Sequence, residues 1–145
     1  MESGTIQAKS VSHILLVMFF EFFSQILFLL SIILSNGNPL ATAAGLFIAI
    51  MFADPHTGAH LNPSVTLTVY FVEKKWGNAL LILAYWTAQI AGGYVGLGIA
   101  YSWGGDSLSY LAPTFSNPES TFTENFFMLI YIEFVLTLFL MISIQ

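Results

Sequence analysis

Charge is what this chain has least of. Only 8% of its 145 residues are Asp, Glu, Lys or Arg, and arginine does not occur at all. Cysteine is absent too, which excludes disulfides, thiolate metal sites and a cysteine nucleophile, and leaves the redox compartment unreadable. Three lysines are the only cations and the formal net charge is −5, so the chain has no basic face with which to hold a nucleic acid. A sequence that is 57% hydrophobic with so few charges cannot present an ordinary soluble surface. Lipid must solvate it.

Long apolar runs make that specific. Ser12 to Leu34 carries one charge, Glu21; Phe126 to Ile144 carries one, Glu133; Ala79 to Trp103 carries none; Leu40 to Ala53 is a shorter run. A helix needs ~20 such residues to cross a hydrocarbon core of roughly 30 Å. The runs predict an all-α integral membrane protein with four spans at about 12–34, 40–56, 77–101 and 125–145. The first run is too long for the apolar region of a cleavable signal peptide, and no small-x-small site follows it. Lys9 precedes the first span and Lys74-Lys75 separate the second from the third, while the connections of opposite parity carry no cation. Positive-inside bias therefore predicts that the N-terminus, like the C-terminus, is cytoplasmic. Trp76, Trp103, Tyr101 and Tyr110 fall near the predicted interfaces and read as belt anchors. Gly92, Gly93, Gly96 and Gly98, with Ala88 and Ala91, read as a small-residue face for close helix approach.

Between the second and third spans, 53–61 is polar and marked by Gly and Pro, and Pro63 to Val72 is apolar again. Asn is a preferred N-cap and Pro is favoured at the first helical position, so Asn62-Pro63 reads as a helix start. About ten residues of helix rise roughly 15 Å, half of a bilayer core. Both ends lie on the lysine-bearing side, so 57–72 is expected to dip into the membrane and return. A lone Asn-Pro usually caps an ordinary helix, and the lipid-like surroundings are what change the reading here. Non-helical backbone at membrane depth is tolerated only where protein buries it or water lines it. A half-helix that begins there presents unpaired N–H groups and a positive dipole end.

The run Gly58-Ala59-His60-Leu61-Asn62-Pro63-Ser64-Val65-Thr66 resembles the first signature loop of the aquaporin and aquaglyceroporin family, with Ser64 where the family usually has Ala. Glu21 in Phe20-Glu21-Phe22-Phe23 is similar to the family's first-span glutamate, Gly45-Leu46 with Ala49 to its second span, and Ala88-Gln89 followed by Gly92-Gly93 to its third. A weak internal repeat accompanies these matches: Glu21-Phe22 with Ile26-Leu27-Phe28 recurs as Glu133-Phe134 with Leu138-Phe139-Leu140. The resemblance implies a truncated aquaporin-like bundle of four transmembrane helices and one re-entrant half-helix, a partial membrane domain over 1–145. It implies that Gly58, Ala59, His60, Leu61, Asn62, Pro63 and Ser64 form the pore loop, and that Glu21 and Glu133 each brace the loop of their own half. Gln89 reads as a packed hydrogen-bonding brace rather than a permeation ligand. The second-span constriction position is Ala44 when aligned on Gly45-Leu46 and Thr42 when spaced back from Asn62. Either is small, which leans toward glycerol-sized solutes.

The resemblance also implies a second Asn-Pro half-helix, a filter arginine and two further spans, which do not occur in this sequence. Asn117-Pro118 has polar flanks and reads as a turn. A homodimer of inverted copies rebuilds two halves, but the fourth helix has no role in it, so a shortened form of a longer channel is the expected account. The expected function is a passive channel for water or small neutral solutes such as glycerol. The alternative is a non-conducting half-channel subunit that packs with full-length relatives and alters their assembly or trafficking. Expected partners are the lipid bilayer, the permeating solute and aquaporin-like subunits in a homo- or hetero-tetramer. No cofactor is expected. A metal site between His56 and His60 is disfavoured because Pro55 and Gly58 argue against a shared helix face. His13 reads as merely interfacial. No nucleophile–base pair is present, so no enzyme is expected.

Overall fold

The computed structural model describes residues 11–74, 78–104 and 122–144, and every regular element among them is an α-helix. Lys9, Lys75, Trp76, Tyr110 and the Asn117-Pro118 turn lie outside the described residues. The helices are α1 (Val11–Leu34), α2 (Pro39–Thr57), α3 (Pro63–Val72), α4 (Ala79–Gly104) and α5 (Phe122–Ile144). The first four belong to one compact unit and α5 to a second. In the first unit α1 packs against both α2 and α4, and α3 lies along α4. Among the described residues, three helices are long and apolar enough to cross a membrane, Val11–Leu34, Pro39–Thr57 and Ala79–Trp103.

Large apolar side chains cover the outside of these helices, including Phe19, Phe47, Met51 and Tyr94, as a lipid-solvated surface requires. The interior combines apolar residues such as Val17, Ile26, Leu81 and Tyr85 with small and polar ones. Ala49, Ala53, Ala84, Ala88 and Ala100 are buried, and so are Glu21, Ser24, Thr57, Thr66 and Gln89. Lipid tails supply no hydrophobic drive for one helix to seek another, so close backbone approach and internal hydrogen bonds hold the bundle.

The third-span glycines divide into two sets rather than forming one face. A Cβ at Gly92 meets the Phe22 carbonyl and lies 3.0 Å from Gln25 Cβ, and one at Gly96 lies 3.3 Å from Ile26 Cα. Gly93 and Gly98 have nothing within 4 Å. The spacing of four residues selects the face toward α1, and glycines outside that register point elsewhere. Gly45 gives the matching close approach between α2 and Ser31 of α1.

The second span is longer than the apolar run suggested. It begins at Pro39 with Asn38 as N-cap, whose Oδ1 accepts from Leu40 N at 3.0 Å and Ala41 N at 3.2 Å. It continues through Pro55 to Thr57 and closes on Gly58 at φ 79°, whose N–H reaches Asp54 O at 3.0 Å. Proline's fixed φ is compatible with helix, and in a final turn its missing N–H releases just one carbonyl. The half-helix, by contrast, has the bounds its sequence implied, Pro63–Val72.

Gly92→Ala is expected to destabilise the bundle by about 1–3 kcal/mol through overpacking against α1. Gly93→Ala is expected to leave it unchanged. Unfolding in mixed micelles followed by circular dichroism compares the two, and equal effects remove this account of the α1–α4 contact.

Candidate functional site

The centre of the first unit is a carboxylate. Glu21 is fully buried on α1 and accepts four hydrogen bonds, two on each oxygen. Thr57 Oγ1 and His60 N donate to Oε1 at 2.7 and 3.0 Å. Leu61 N and Gln89 Nε2 donate to Oε2, both at 2.9 Å. An ionised carboxylate is an acceptor on both oxygens and matches four donors; a protonated one would turn a hydrogen toward a donor.

These bonds hold a short turn that has little support of its own. Between the end of α2 and the cap of α3, Ala59 and Leu61 sit in the left-handed region at φ 47° and 49°. Each such non-glycine residue costs on the order of 1–3 kcal/mol unless its surroundings enforce it. The enforcement is Glu21, since hydrogen bonds to a charged group contribute ~1.5–3 kcal/mol each. Asn62 then returns the chain to extended geometry, φ −154° and ψ 128°, and its Oδ1 accepts from Ser64 N at 2.8 Å to start α3.

Helix α4 grips the same loop at three points. Tyr85 donates its hydroxyl to Thr57 O at 2.6 Å and stacks its ring on His60 at 4.3 Å between centroids. Trp86 Nε1 donates to Pro63 O at 3.1 Å. Gln89 sends its second amide hydrogen to Thr66 Oγ1 at 3.1 Å, and that hydroxyl also meets His60 Nδ1 at 3.1 Å. Tyr85, Trp86, Thr57 and Thr66 were not singled out from the sequence. A signal for the first two existed: aromatics with polar handles, one turn before Gln89 in a span with no charge, seek a partner inside the bundle.

The remaining candidates fall in different places. Glu21, Gln89 and Gly58 to Ser64 come together around the loop. Ala44 is exposed on α2, while Thr42 is half-buried and directs its hydroxyl to Ser35 Oγ at 2.9 Å and Asn38 O at 3.2 Å. Glu133 is exposed on α5, in the other unit. His13, read as merely interfacial, is instead half-buried and helps line a polar cavity of about 190 Å³ with His56, His60, Tyr70, Glu73 and Tyr85. His56 lies inside α2 despite Pro55, which corrects the argument used against a shared helix face. It stacks on Phe20 at 3.9 Å, whereas His60 stacks on Tyr85 beyond the Gly58 cap. Among the described residues no group of three metal-ligating side chains forms.

A buried carboxylate in an apolar bundle, holding a loop that ends in a short helix capped by Asn62 with Pro63 at its first position, is the contact between Glu21 and the signature run that the resemblance implies. Residues 5–145 match the family model described as Major intrinsic protein. The chain belongs to that family. With its apolar helices, membership makes it an integral, multi-pass membrane protein. Among curated relatives, an aquaglyceroporin from Toxoplasma gondii is 32% identical over 77 residues, covering 53% of this chain and 29% of that protein. The matched stretch thus spans less than a third of the relative's length. No solved structure matches the chain.

Glu21→Gln preserves shape but turns an amide N–H toward donors on one side. The loop is expected to lose about 2–4 kcal/mol of local stability. Limited proteolysis between Gly58 and Asn62 in detergent should become markedly faster, and an unchanged rate removes Glu21 as the brace.

Proposed function

We propose that the chain supplies one half of a passive membrane pore for water or small neutral solutes such as glycerol, with Asn62 as the hydrogen-bond donor to the permeating molecule. The observation that carries this reading is the orientation of the Asn62 amide. Its oxygen is committed to the backbone of Ser64, so its Nδ2 is the group left to donate at the tip of the half-helix. Family membership and the aquaglyceroporin relative support the solute class.

Glu21, Tyr85, Trp86 and Gln89 keep the Gly58 to Asn62 backbone rigid, so the donor is presented without reorganisation. The polar cavity along His56, His60 and Tyr85 forms the approach from the side that bears Lys74, which we assign to the cytoplasm together with the N-terminus. Small residues at Ala44 and Thr42 fit an opening wide enough for a polyol. Assembly with aquaporin-like subunits in a tetramer belongs to the same reading.

Two variants separate the donor from the cap. Asn62→Asp keeps an acceptor for Ser64 N and removes the donor; Asn62→Ala removes both, at ~1 kcal/mol for the cap. Stopped-flow swelling of proteoliposomes should show water and glycerol permeability reduced at least about tenfold in both, the loss of roughly one hydrogen bond to the permeating molecule. Permeability equal to the unaltered chain in Asn62→Asp overturns the donor role. If the unaltered chain shows no permeability but changes the assembly of a full-length relative, the subunit reading replaces the pore.

A further inference from the structure

The connection between α1 and α2 is a tight turn, Ser35-Asn36-Gly37-Asn38, closed by Asn38 N donating to Ser35 O at 3.0 Å. Its two central residues have positive φ, 49° at Asn36 and 79° at Gly37, the pattern of a type I′ turn. Both are exposed, and a Cβ at Gly37 would have nothing within 4 Å. Irregular backbone is excluded from lipid, so a connection between two spans lies in water. Among the described residues, neither the Asn36 side-chain amide nor the Gly37 N–H has a hydrogen-bond partner.

An unheld N–H after an unheld asparagine amide permits one reaction. Hydroxide removes the Gly37 amide proton, and the nitrogen attacks Asn36 Cγ. The new N–Cγ bond closes a five-membered succinimide, and the side-chain nitrogen leaves as ammonia with a proton from water. Water then opens the ring at either carbonyl. Cleavage at Cγ leaves aspartate; cleavage at the main-chain carbonyl leaves isoaspartate, with the main chain rerouted through the side-chain carbon. The net change is one water consumed and one ammonia released. The chain's other asparagines are worse placed. Asn38, Asn62 and Asn117 precede proline, which has no N–H to lose, and Asn78 and Asn125 precede Ala79 and Phe126, whose Cβ obstructs the attack.

We propose that Asn36 is a site of slow hydrolytic modification, at which the folded chain acquires a carboxylate or an isoaspartate linkage in the α1–α2 turn. In the left-handed region ψ lies near +47°, which sets Gly37 N on the far side of the Cα–C bond from the Asn36 side chain. Ring closure therefore waits for the turn to open. One backbone bond of ordinary net strength holds it shut, which slows closure by up to about tenfold. Asn36 loses nothing by leaving, since left-handed backbone is unfavourable for a residue with a Cβ. The product alters more than charge. Isoaspartate lengthens the main chain between Ser35 and Asn38 by one carbon, so the bond that closes the turn is lost. Thr42 Oγ1 donates to Ser35 Oγ at 2.9 Å, so the change reaches the first turn of α2. A carboxylate at this position also stands just beyond the C-terminal end of α1, where the helix dipole disfavours negative charge.

The test follows mass rather than flux, so its result stands whether or not the chain conducts. The chain in phosphatidylcholine liposomes is held at mildly alkaline pH in heavy-oxygen water, then digested in ordinary water with chymotrypsin, which cuts after Leu34 and Leu40. The peptide 35–40 is weighed, and electron-transfer fragmentation separates aspartate from isoaspartate. A synthetic peptide of the same sequence runs alongside. The expected result is exchange of the amide for a hydroxyl bearing heavy oxygen, at a rate that rises with pH and lies within about tenfold of the free peptide's. Gly37→Ala, which adds the obstructing Cβ, should slow the exchange at least about tenfold in both chain and peptide. A rate further below the peptide's means that the turn locks Asn36 and overturns the proposal. A rate indifferent to Gly37→Ala overturns it as well, because direct hydrolysis of the amide would then replace ring closure.

Discussion

A single carboxylate that has no water to solvate it sets the terms for the rest of this fold. Glu21 lies at the centre of an almost uncharged bundle, and every donor that replaces its hydration comes from the protein: one hydroxyl, two backbone amides and one side-chain amide. Those donors come from the end of α2, from the loop and from α4. One ion therefore ties three segments to α1. The dependence is mutual. The loop residues Ala59 and Leu61 occupy left-handed conformations that only such a partner sustains, and the ion persists in hydrocarbon only because the loop presents its amides.

The helix packing serves that contact. Gly92 and Gly96 bring α4 against α1 at close range, which sets Gln89 within reach of both Glu21 and Thr66. The same turn of α4 then carries Tyr85 to Thr57 and Trp86 to Pro63, so the loop is held on two sides, by charge from α1 and by aromatic donors from α4. Larger residues at the two glycines would move α4 outward and loosen all three grips together. Gly92 and Gly96 thus act on the Gly58 to Asn62 loop through the close approach of α4 to α1.

Much of this was legible in the sequence, and the limits are instructive. Hydropathy runs marked the helices, and Asn62-Pro63 fixed the start of α3 to the residue, because both rest on local chemistry. The helical state of His56 was not legible, since Pro55 reads as a breaker unless its position in a last turn is known. Asn38-Pro39 makes the point sharply: it is the same cap with the same chemistry, yet it opens a full span at the α1–α2 turn. Asn-Pro encodes a helix start and nothing more. What distinguishes the second pair is Glu21, some forty residues earlier, and the grip of α4, and neither relation is visible to spacing rules. Ala44 and Thr42 stayed undecided for a similar reason, because the face of α2 that matters is set by neighbours beyond the helix itself.

Charge arithmetic limits what one half can do alone. A helix N-terminus is equivalent to about half a positive charge. Glu21 beside it carries a full negative one, only partly spread over its four donors. At the tip of a single half-helix the two sum to a slightly negative site, which does not repel cations by dipole alone. Exclusion of cations in the proposed pore then depends on what sits opposite Asn62: a second half-helix tip brings the positive contributions at the midplane up to about one charge, while an apolar wall makes dehydration the only barrier. A neutral solute is indifferent to that sum and needs only a donor and a passage.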